Sequence, residues 1–284
     1  MFDVTDHLRI GPTELRRVPE SFTLRPYERL RLEPLSPCIG AEVHGFDMRD
    51  QPDEATLAEL RQALLEWKVL FFRDQEVSRA QQRDFAALWG PAEQHPFFNY
   101  MRDDQDDEEV VRIARDGGFG AGLRAVELPP CGGDTLWAEA GAAYDGLPEG
   151  LRERIDPLVA EHDWRTTFGM AMSAEDRDRL GDRFPPVRHP VVRIHPETGR
   201  RTLFVNPFFT QHIVGLDAEE SDAVLSRLYR EFTRPEYQCR FRWTPGAIAF
   251  WDNRSTQHYA VSDYAPQRRV MDRISIAGDR PFGP

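Results

Sequence analysis

Short runs of β-branched and aromatic residues, separated by turn signals, constrain the fold of this chain more than any other feature. The segment from Pro196 to Gly199 predicts a hairpin between two of these runs. No dinucleotide-type glycine pattern accompanies them, which disfavours a doubly wound parallel sheet. The pattern predicts a mainly β fold with flanking helices, an antiparallel jelly roll. The predicted strands are Val69 to Phe72, Val191 to Ile194, Thr202 to Val205, Gly246 to Trp251 and Arg269 to Ile276, after a looser strand pair between Arg29 and Val43.

Four segments have the hydrophobic spacing of amphipathic helices. Asp53 is a suitable N-cap for the first helix, which runs through Leu57 to Trp67. Ser78 and Gln81 form a capping box that starts the second. The third and fourth are predicted from Leu147 to Val159 and from Glu219 to Phe232.

The composition excludes several classes of protein. The 284 residues carry a net charge of −12 and no large basic cluster, which argues against binding to nucleic acid or to an anionic membrane. Cys38, Cys131 and Cys239 are too few and too scattered for a disulfide framework or a zinc cluster. No apolar run is long enough to cross a bilayer and no signal-peptide pattern follows Met1, so a cytoplasmic protein is predicted. A homo-oligomer is compatible with these features.

The chain is expected to form one domain. Residues 1–28 are polar, punctuated by proline and without clear periodicity, and they indicate an N-terminal extension. Residues 29–284 show no internal repeat and no linker that would separate a second domain.

A pair of arginines at strand spacing indicates an acidic ligand. Arg269, Met271 and Arg273 alternate along the last predicted strand, so their side chains share one face. An arginine on a face that also buries methionine is costly unless an anion meets it. Guanidinium matches carboxylates and sulfonates in bidentate geometry, so a small anionic ligand is predicted.

Fragments in a fixed order over most of the chain resemble the TauD/TfdA family of Fe(II)- and 2-oxoglutarate-dependent oxygenases. The resemblance implies a cupin-like double-stranded β-helix, and an enzyme that uses Fe(II), 2-oxoglutarate and molecular oxygen. Such an enzyme hydroxylates a small, anionic substrate and releases succinate and CO2. The fragments are Gly40 to Gly45, Val69 to Gln75, Leu128 to Trp137, Ala143-Tyr144, His189-Pro190, His195 to Gly199, Trp243 to Tyr264 and Arg268 to Arg273.

The resemblance also assigns roles to individual residues. His258 matches a metal ligand of the family. Arg269 and Thr135 match the residues that hold the distal carboxylate of 2-oxoglutarate, and we expect them to point into the barrel with a cavity between them and His258. Arg273 and His95 match positions that bind the anionic group of the substrate. No residue is assigned to acid-base catalysis, because iron performs the difficult step in this family.

One departure from the family concerns the metal. Family members hold iron with two histidines and a carboxylate, and two of these ligands come from a His-x-Asp pair in a loop before the Gly-Gly-Asp-Thr motif. No His-x-Asp sequence occurs in this chain, and only Gly117 to Gly122 stand where that loop is expected before Arg124. A loop of roughly 15 to 20 residues, a length typical of functional loops, is therefore missing.

Three explanations of this departure remain open. The printed sequence lacks a segment of the polypeptide, the chain has lost the loop, or other residues complete the site. The first explanation predicts consecutive Cα atoms between Asp116 and Arg124 further apart than the ~3.8 Å of a trans peptide. The second predicts a non-catalytic or metal-deficient homologue that binds a small acid. His189 and His195 are poor substitutes as ligands, because each precedes a proline and is expected on a loop at the end of a strand.

Overall fold

The computed structural model describes residues 13–93 and 120–284, and within these ranges the chain forms fourteen strands and six α-helices. The strands are β1 (Arg31–Pro34), β2 (Ala41–His44), β3 (Val69–Phe72), β4 (Gly120–Glu127), β5 (Thr135–Glu139), β6 (Val159–His162), β7 (Val187–Pro190), β8 (Val192–Ile194), β9 (Arg201–Leu203), β10 (Thr210–Ile213), β11 (Gln238–Phe241), β12 (Ile248–Asp252), β13 (Thr256–Ala260) and β14 (Val270–Ile276). The helices are α1 (Glu54–Trp67), α2 (Arg79–Ala87), α3 (Ala140–Asp145), α4 (Glu149–Ile155), α5 (Ala174–Arg183) and α6 (Ala218–Glu231).

The strands form one large sheet and three small ones. The large sheet has the order β1-β2-β3-β12-β4-β14, and only the β2–β3 pair within it is parallel. The small sheets have the orders β11-β5-β13, β10-β6-β7 and β8-β9, all antiparallel. This architecture confirms the predicted jelly roll with flanking helices.

The large sheet buries both of its faces. Phe71, Trp251 and Met271 point into the barrel interior, where the β11-β5-β13 sheet meets them; Phe71 stacks on Phe241 with ring centroids 4.1 Å apart. Their strand neighbours Phe72 and Ile274 point the other way, into a second core beneath α1 and α2. Burial on both faces explains why β3 is an uninterrupted hydrophobic run instead of an alternating one.

Most predicted elements are confirmed at their capping residues. Asp53 accepts a hydrogen bond from the backbone N–H of Thr56 and begins α1. Ser78 and Gln81 form the predicted capping box of α2. The 196–199 turn joins β8 to β9, with Gly199 in the left-handed region at φ 70°.

Two predictions about local structure are wrong. The helix predicted from Leu147 to Val159 ends at Ile155, because the chain becomes extended at Val159 to form β6 between β7 and β10. His189 was expected on a loop but lies within β7, where it is paired opposite Ala160. In both cases strand pairing with distant parts of the chain overrides the local signal.

Lys68, the only lysine of the chain, is buried at the end of α1. It adopts a left-handed conformation with φ 63°. Its ammonium group donates to the carbonyl oxygens of Cys38 at 3.1 Å and Glu66 at 2.9 Å, and also to that of Arg17. These acceptors fill the three donors of the ammonium group. Burial lowers the pKa of Lys68 to about 8.

Within the part of the chain that the structure describes, no helix combines the length and the apolar character needed to cross a membrane. Cys38, Cys131 and Cys239 all carry free thiols.

Candidate functional site

Arg269 and Thr135, predicted to act together, are in contact inside the barrel. Arg269 Nη2 donates to Thr135 Oγ1 at 3.3 Å, and Trp243 Nε1 donates to the same oxygen at 3.0 Å. Thr135 begins β5, and Arg269 directly precedes β14. The Arg269 guanidinium also lies over the Trp243 ring, 5.9 Å from its centroid. Strands from two sheets therefore converge on one buried hydroxyl.

The hydrogen-bonding capacity of Thr135 indicates a missing partner. A threonine hydroxyl has two acceptor lone pairs and one donor proton. Arg269 and Trp243 occupy both lone pairs, so the proton can only be donated to a third group. Thr135 is buried, and an unsatisfied buried donor costs about 1–3 kcal/mol. An acceptor such as a carboxylate oxygen satisfies this geometry.

Arg269 is half-buried and forms no ion pair with any carboxylate in residues 13–93 and 120–284. Its Nε is buried and has no hydrogen-bond partner among those residues. Burial lowers the pKa of Arg269, and the opposing effects of Tyr264 and Asp134 do not cancel it. Asp134 itself pairs with Arg240 at 2.7 Å. The structural ion pair that would explain Arg269 without a ligand is therefore not found in this part of the chain.

The two glycines of the Gly-Gly-Asp-Thr motif make room for this arrangement. A Cβ on Gly133 would lie 2.9 Å from Arg269 Cδ, and a Cβ on Gly132 would lie 2.6 Å from Asp263 Oδ1. Both glycines also adopt positive φ, 80° at Gly132 and 70° at Gly133. Gly133 N–H donates to Asp263 Oδ1 at 2.8 Å, which ties the motif to the segment before β14. A side chain at Gly133 would therefore displace Arg269, and one at Gly132 would displace Asp263.

Arg273 lies further along the same face of β14. It is 2% exposed, and its guanidinium lies 5.6 Å from the Trp251 ring centroid. Trp137 stands between the two arginine positions, 6.4 Å from Trp243 and 5.6 Å from Trp251 by ring centroid. The three inward-facing tryptophans form a shelf with an arginine at each end. Sequence reasoning missed this shelf, although all three tryptophans lie inside the motifs that it used.

His258 lies on β13, paired opposite Trp137. Its ring is 4.9 Å from that of Trp251 and 6.5 Å from that of Trp137. It lies in the walls of two cavities, of about 80 Å³ and about 340 Å³. Neither cavity has Arg269 or Thr135 in its wall, so the cavity expected between that pair and His258 stays a prediction.

A complete metal site is not found within the described ranges. There, no three His, Cys, Asp or Glu side chains form a group that could hold a metal ion. His95 lies outside the described residues, as do residues 116–119 of the interval from Asp116 to Arg124; from Gly120 to Arg124 the chain runs within β4. The substrate role of His95 and the expected chain break are therefore untested.

A His-x-Glu sequence does occur, at His195-Pro196-Glu197, but the side chains of His195 and Glu197 are engaged in other interactions. His195 Nδ1 accepts from the backbone N–H groups of Glu197 and Thr198 at 3.3 and 3.2 Å. Nε2 therefore carries the proton and donates to Asp252 at 3.0 Å. Glu197 pairs with Arg254 at 2.7 Å. Both nitrogens of His195 are used, which excludes it as a ligand in this conformation.

Asp252, Arg254, His195 and Glu197 form a closed network behind His258. Arg254 holds Asp252 through Nε and Nη2, with distances of 2.9 and 2.7 Å. Burial alone would raise the pKa of Asp252, but Arg254 and His195 together hold it well below its usual range. The network fixes the turn between β12 and β13, the strand that carries His258.

The chain matches, over residues 31–275, the model of the taurine catabolism dioxygenase TauD, TfdA family. It belongs to the TauD/TfdA family. An alkylsulfatase of Acinetobacter baylyi is 36% identical, over 91% of this chain and 88% of the relative. An alpha-ketoglutarate-dependent sulfate ester dioxygenase of Pseudomonas putida is 35% identical, over 89% and 91%. The crystal structure of a taurine dioxygenase from Burkholderia xenovorans superposes with a TM-score of 0.78 at 36% identity, covering 90% of this chain and 92% of that one.

The alignment with the alkylsulfatase also gives the number of positions at which this member of the TauD/TfdA family has no counterpart residue. It runs over 281 positions, whereas 91% of a 284-residue chain is about 258 residues. About 23 positions of the relative therefore face a gap in this chain. A deficit of this size agrees with the loop that the sequence analysis finds missing.

Proposed function

We propose that this chain binds 2-oxoglutarate through Arg269 and Thr135 and acts as a 2-oxoglutarate-dependent dioxygenase on a small anionic substrate. The observation that carries the proposal is the Thr135 hydroxyl, which accepts from Arg269 and Trp243 and has only its proton left to donate. A carboxylate both accepts from a hydroxyl and neutralises a guanidinium, so the distal carboxylate of 2-oxoglutarate meets both requirements at once.

The chain's own residues would hold the co-substrate as follows. Arg269 supplies charge-assisted hydrogen bonds to the distal carboxylate, and the Thr135 proton is donated to the same group. Trp243 and Trp137 exclude water from one side, since both are buried, and this strengthens the electrostatic attraction. Gly133 leaves room for the Arg269 side chain, which a Cβ at this position would displace.

Fe(II) is part of this proposal on family grounds, with His258 as one ligand. When bound in this family, iron activates oxygen so that a carbon of the substrate is hydroxylated while 2-oxoglutarate is converted to succinate and CO2. The described residues do not fit a complete iron site, because His258 is the only ligand that they offer to the family's arrangement of two histidines and a carboxylate. The contact between Arg269 and Thr135, the proposed co-substrate clamp, is therefore the part of this proposal that the described residues support.

We propose an anionic substrate, of the sulfate ester or sulfonate class, bound at Arg273. Arg273 shares a face with Arg269 but lies four residues further along the strand, over Trp251 instead of Trp243. Two inward guanidiniums repel each other unless each has its own anion, which favours separate positions for co-substrate and substrate. The names of the relatives, which act on alkyl sulfates and sulfate esters, support this class.

The second candidate function is a binding protein without catalysis. It is favoured by the absence of a His-x-Asp sequence and by the gap of about 23 positions against the alkylsulfatase. Intact mass of the purified protein separates the two functions. A mass above 32.8 kDa indicates a segment missing from the printed sequence, whereas a mass of 32.8 kDa without succinate formation supports the binding protein. The cytoplasmic location, the single domain from residue 29 and oligomerisation stay predictions.

Replacing Arg269 and Arg273 by alanine, one at a time, tests which of the two ligands each arginine binds. We expect Arg269→Ala to weaken 2-oxoglutarate binding by on the order of 100-fold, since it removes a desolvated charge partner, and to leave substrate binding nearly unchanged. Arg273→Ala is expected to do the reverse. Calorimetric titration with 2-oxoglutarate and with a panel of sulfonates, sulfate esters and carboxylates, with and without added divalent metal, measures both effects.

Arg240→Ala is the matched control, because Arg240 is an exposed arginine paired with Asp134 of the same motif. It should bind both ligands like the unmodified chain. Equal loss of 2-oxoglutarate binding in the Arg269 and Arg273 variants would show that the two arginines form a single site, and the separate substrate position would be wrong.

A further inference from the structure

The cavity of about 80 Å³ beside His258 has an unusual wall for so acidic a chain. The chain contains 48 Asp and Glu residues and has a net charge of −12, yet no Asp or Glu lines this cavity. Its wall contains two arginines and three histidines, which are Arg193, Arg254, His162, His189 and His258. The wall is therefore rich in hydrogen-bond donors and poor in negative charge.

Arg193 is the central donor of this wall. Its side chain is 0% exposed and lies over the Phe204 ring, 5.4 Å from the centroid. Nη2 pairs with Asp279 at 2.5 Å, but Nε and Nη1 are buried and have no hydrogen-bond partner in residues 13–93 and 120–284. Asp279 is itself 36% exposed, so water screens its charge. A buried guanidinium with open donors is costly unless an acceptor meets it.

Neighbouring side chains add neutral donors. Asn206 Oδ1 accepts from the backbone N–H groups of Phe208 and Phe209 at 3.1 and 3.0 Å, which orients its amide NH2 away from them. Asn253 Oδ1 accepts from Trp251 Nε1 at 2.7 Å, which likewise leaves the NH2 of Asn253 as a donor. Both amides line the same cavity as Arg193.

His162, one of the histidines of the wall, is uncharged and therefore cannot replace Arg193 as a charged donor. His162 and His189 lie with ring centroids 5.2 Å apart. Burial, and then the proximity of His189, lower the pKa of His162 to about 3, so it is neutral at physiological pH. Arg193 consequently supplies the charge of this part of the wall, and His162 Nε2, also without a partner in the described residues, lies next to it as a neutral group.

We propose that this cavity is a binding site for a small oxyanion of the sulfate type, with Arg193 as its main anchor, separate from the positions of Arg269 and Arg273. A volume of about 80 Å³ is several times the 10–15 Å³ that one water molecule needs, so an ion of four or five non-hydrogen atoms fits. Neither Arg269 nor Arg273 lies in its wall. The inference concerns binding alone and holds whether or not the chain turns over a substrate.

Titration of the full chain with sodium sulfate against a sodium chloride blank of equal ionic strength tests this site. All proteins in this titration carry Arg273→Ala, which removes the substrate position proposed above. We expect saturable binding of one sulfate, unchanged by saturating 2-oxoglutarate, and weakened at least tenfold when Arg193→Gln is added. Arg188→Gln is the matched control, because Arg188 is an exposed arginine on the neighbouring strand β7. That variant should bind sulfate like the protein that carries Arg273→Ala alone.

Asn206→Asp tests the site without altering Arg193. Aspartate keeps the oxygen that accepts from the backbone of residues 208 and 209, so the turn is preserved, but it adds a negative charge to the wall. We expect Asn206→Asp also to weaken sulfate binding at least tenfold. If Arg193→Gln does not fold, the Asn206→Asp result alone tests the sulfate site. The proposal is overturned if sulfate binds no better than chloride, if Asn206→Asp binds it normally, or if 2-oxoglutarate displaces it.

Discussion

Arg254 and Arg269 are two arginines of the same barrel that meet opposite environments. Arg254, 4% exposed, is held by Asp252 and Glu197 of its own chain. Arg269 contacts a threonine hydroxyl and a tryptophan ring, and no carboxylate of the described residues pairs with it. The first arrangement is closed by the protein itself and serves stability. The second is left open, which supports the position proposed for the distal carboxylate of 2-oxoglutarate.

The closed arrangement has an exposed counterpart that isolates the effect of burial. Asp47 and Arg49 repeat the spacing and the hydrogen bonds of Asp252 and Arg254, with Nε and backbone N–H donating to Oδ1 and Nη2 donating to Oδ2. Asp252 is buried, whereas the side chains of Asp47 and Arg49 are partly or largely exposed. The local geometry is the same, so any difference in stability arises from the surroundings.

Removal of the central carboxylate should produce the largest effect. Asp252→Ala leaves the Arg254 charge buried and takes the acceptor from His195, so we expect the free energy of unfolding to fall by about 3–5 kcal/mol. Asp47→Ala removes the same local hydrogen bonds at the surface and should cost at most about 1 kcal/mol. Chemical denaturation of both variants measures the difference. Similar losses would mean that the network behind His258 owes its stability to the local turn alone.

The pH dependence of stability separates the contribution of Asp252 in the closed network from that of His162 in the neighbouring cavity. The pKa of His162 falls from 6.5 in the unfolded chain to about 3 in the folded one. Below pH 6.5 the unfolded state therefore binds the extra proton, and the free energy of unfolding decreases as pH falls from 6.5 towards 3, by at most about 1.4 kcal/mol per pH unit. Asp252, whose pKa is also lowered, loses its contribution only below about pH 4.

Denaturation at several pH values between 7 and 4 measures the first window. We expect His162→Gln to reduce the slope there. A slope that is the same in His162→Gln and in the unmodified chain would show that other groups titrate in this range.

The smallest expected effect concerns the open arrangement. Thr135→Val removes the hydroxyl, so 2-oxoglutarate should bind about tenfold more weakly, the value of one hydrogen bond to a charged group. Thr135→Ser keeps the hydroxyl and should bind nearly as the unmodified chain does. Calorimetry on the three proteins gives the ratio. Normal binding by Thr135→Val would remove the hydroxyl from the co-substrate clamp and leave Arg269 alone.

The parts of the fold that depend on local chemistry could be predicted from the sequence. Asp53 and the Ser78–Gln81 box determine where helices begin, and β3 is recognisable as a short apolar run. The change from helix to strand after Ile155 could not be predicted, because Val159 is extended only through its pairing with β7 and β10. The short helices α3 and α5 were missed, since neither carries a clear hydrophobic period over enough turns.

In the candidate site, too, some features could be predicted from local sequence and others depend on tertiary contacts. Strand alternation placed Arg269 and Arg273 on one face before the fold was known, and the motif placed Thr135 near Arg269. The contact of Trp243 with Thr135 brings together residues 108 positions apart, and the open donors of Arg193 depend on which carboxylates fold against it. Such features result from tertiary contacts and leave no periodic signal in the sequence. The role of His95 remains a prediction, as it lies outside the described residues.

The burial of Lys68 has a practical consequence for chemical work on this protein. The ammonium group is enclosed and fully hydrogen-bonded to carbonyl oxygens, and it is the only side-chain amine in the chain. Reagents that acylate lysines, including amine-directed cross-linkers, biotin esters and fluorescent dyes, therefore have no accessible side-chain target while the chain is folded. Acylation of Lys68 becomes a specific reporter of unfolding around the end of α1, read by mass spectrometry at a single position.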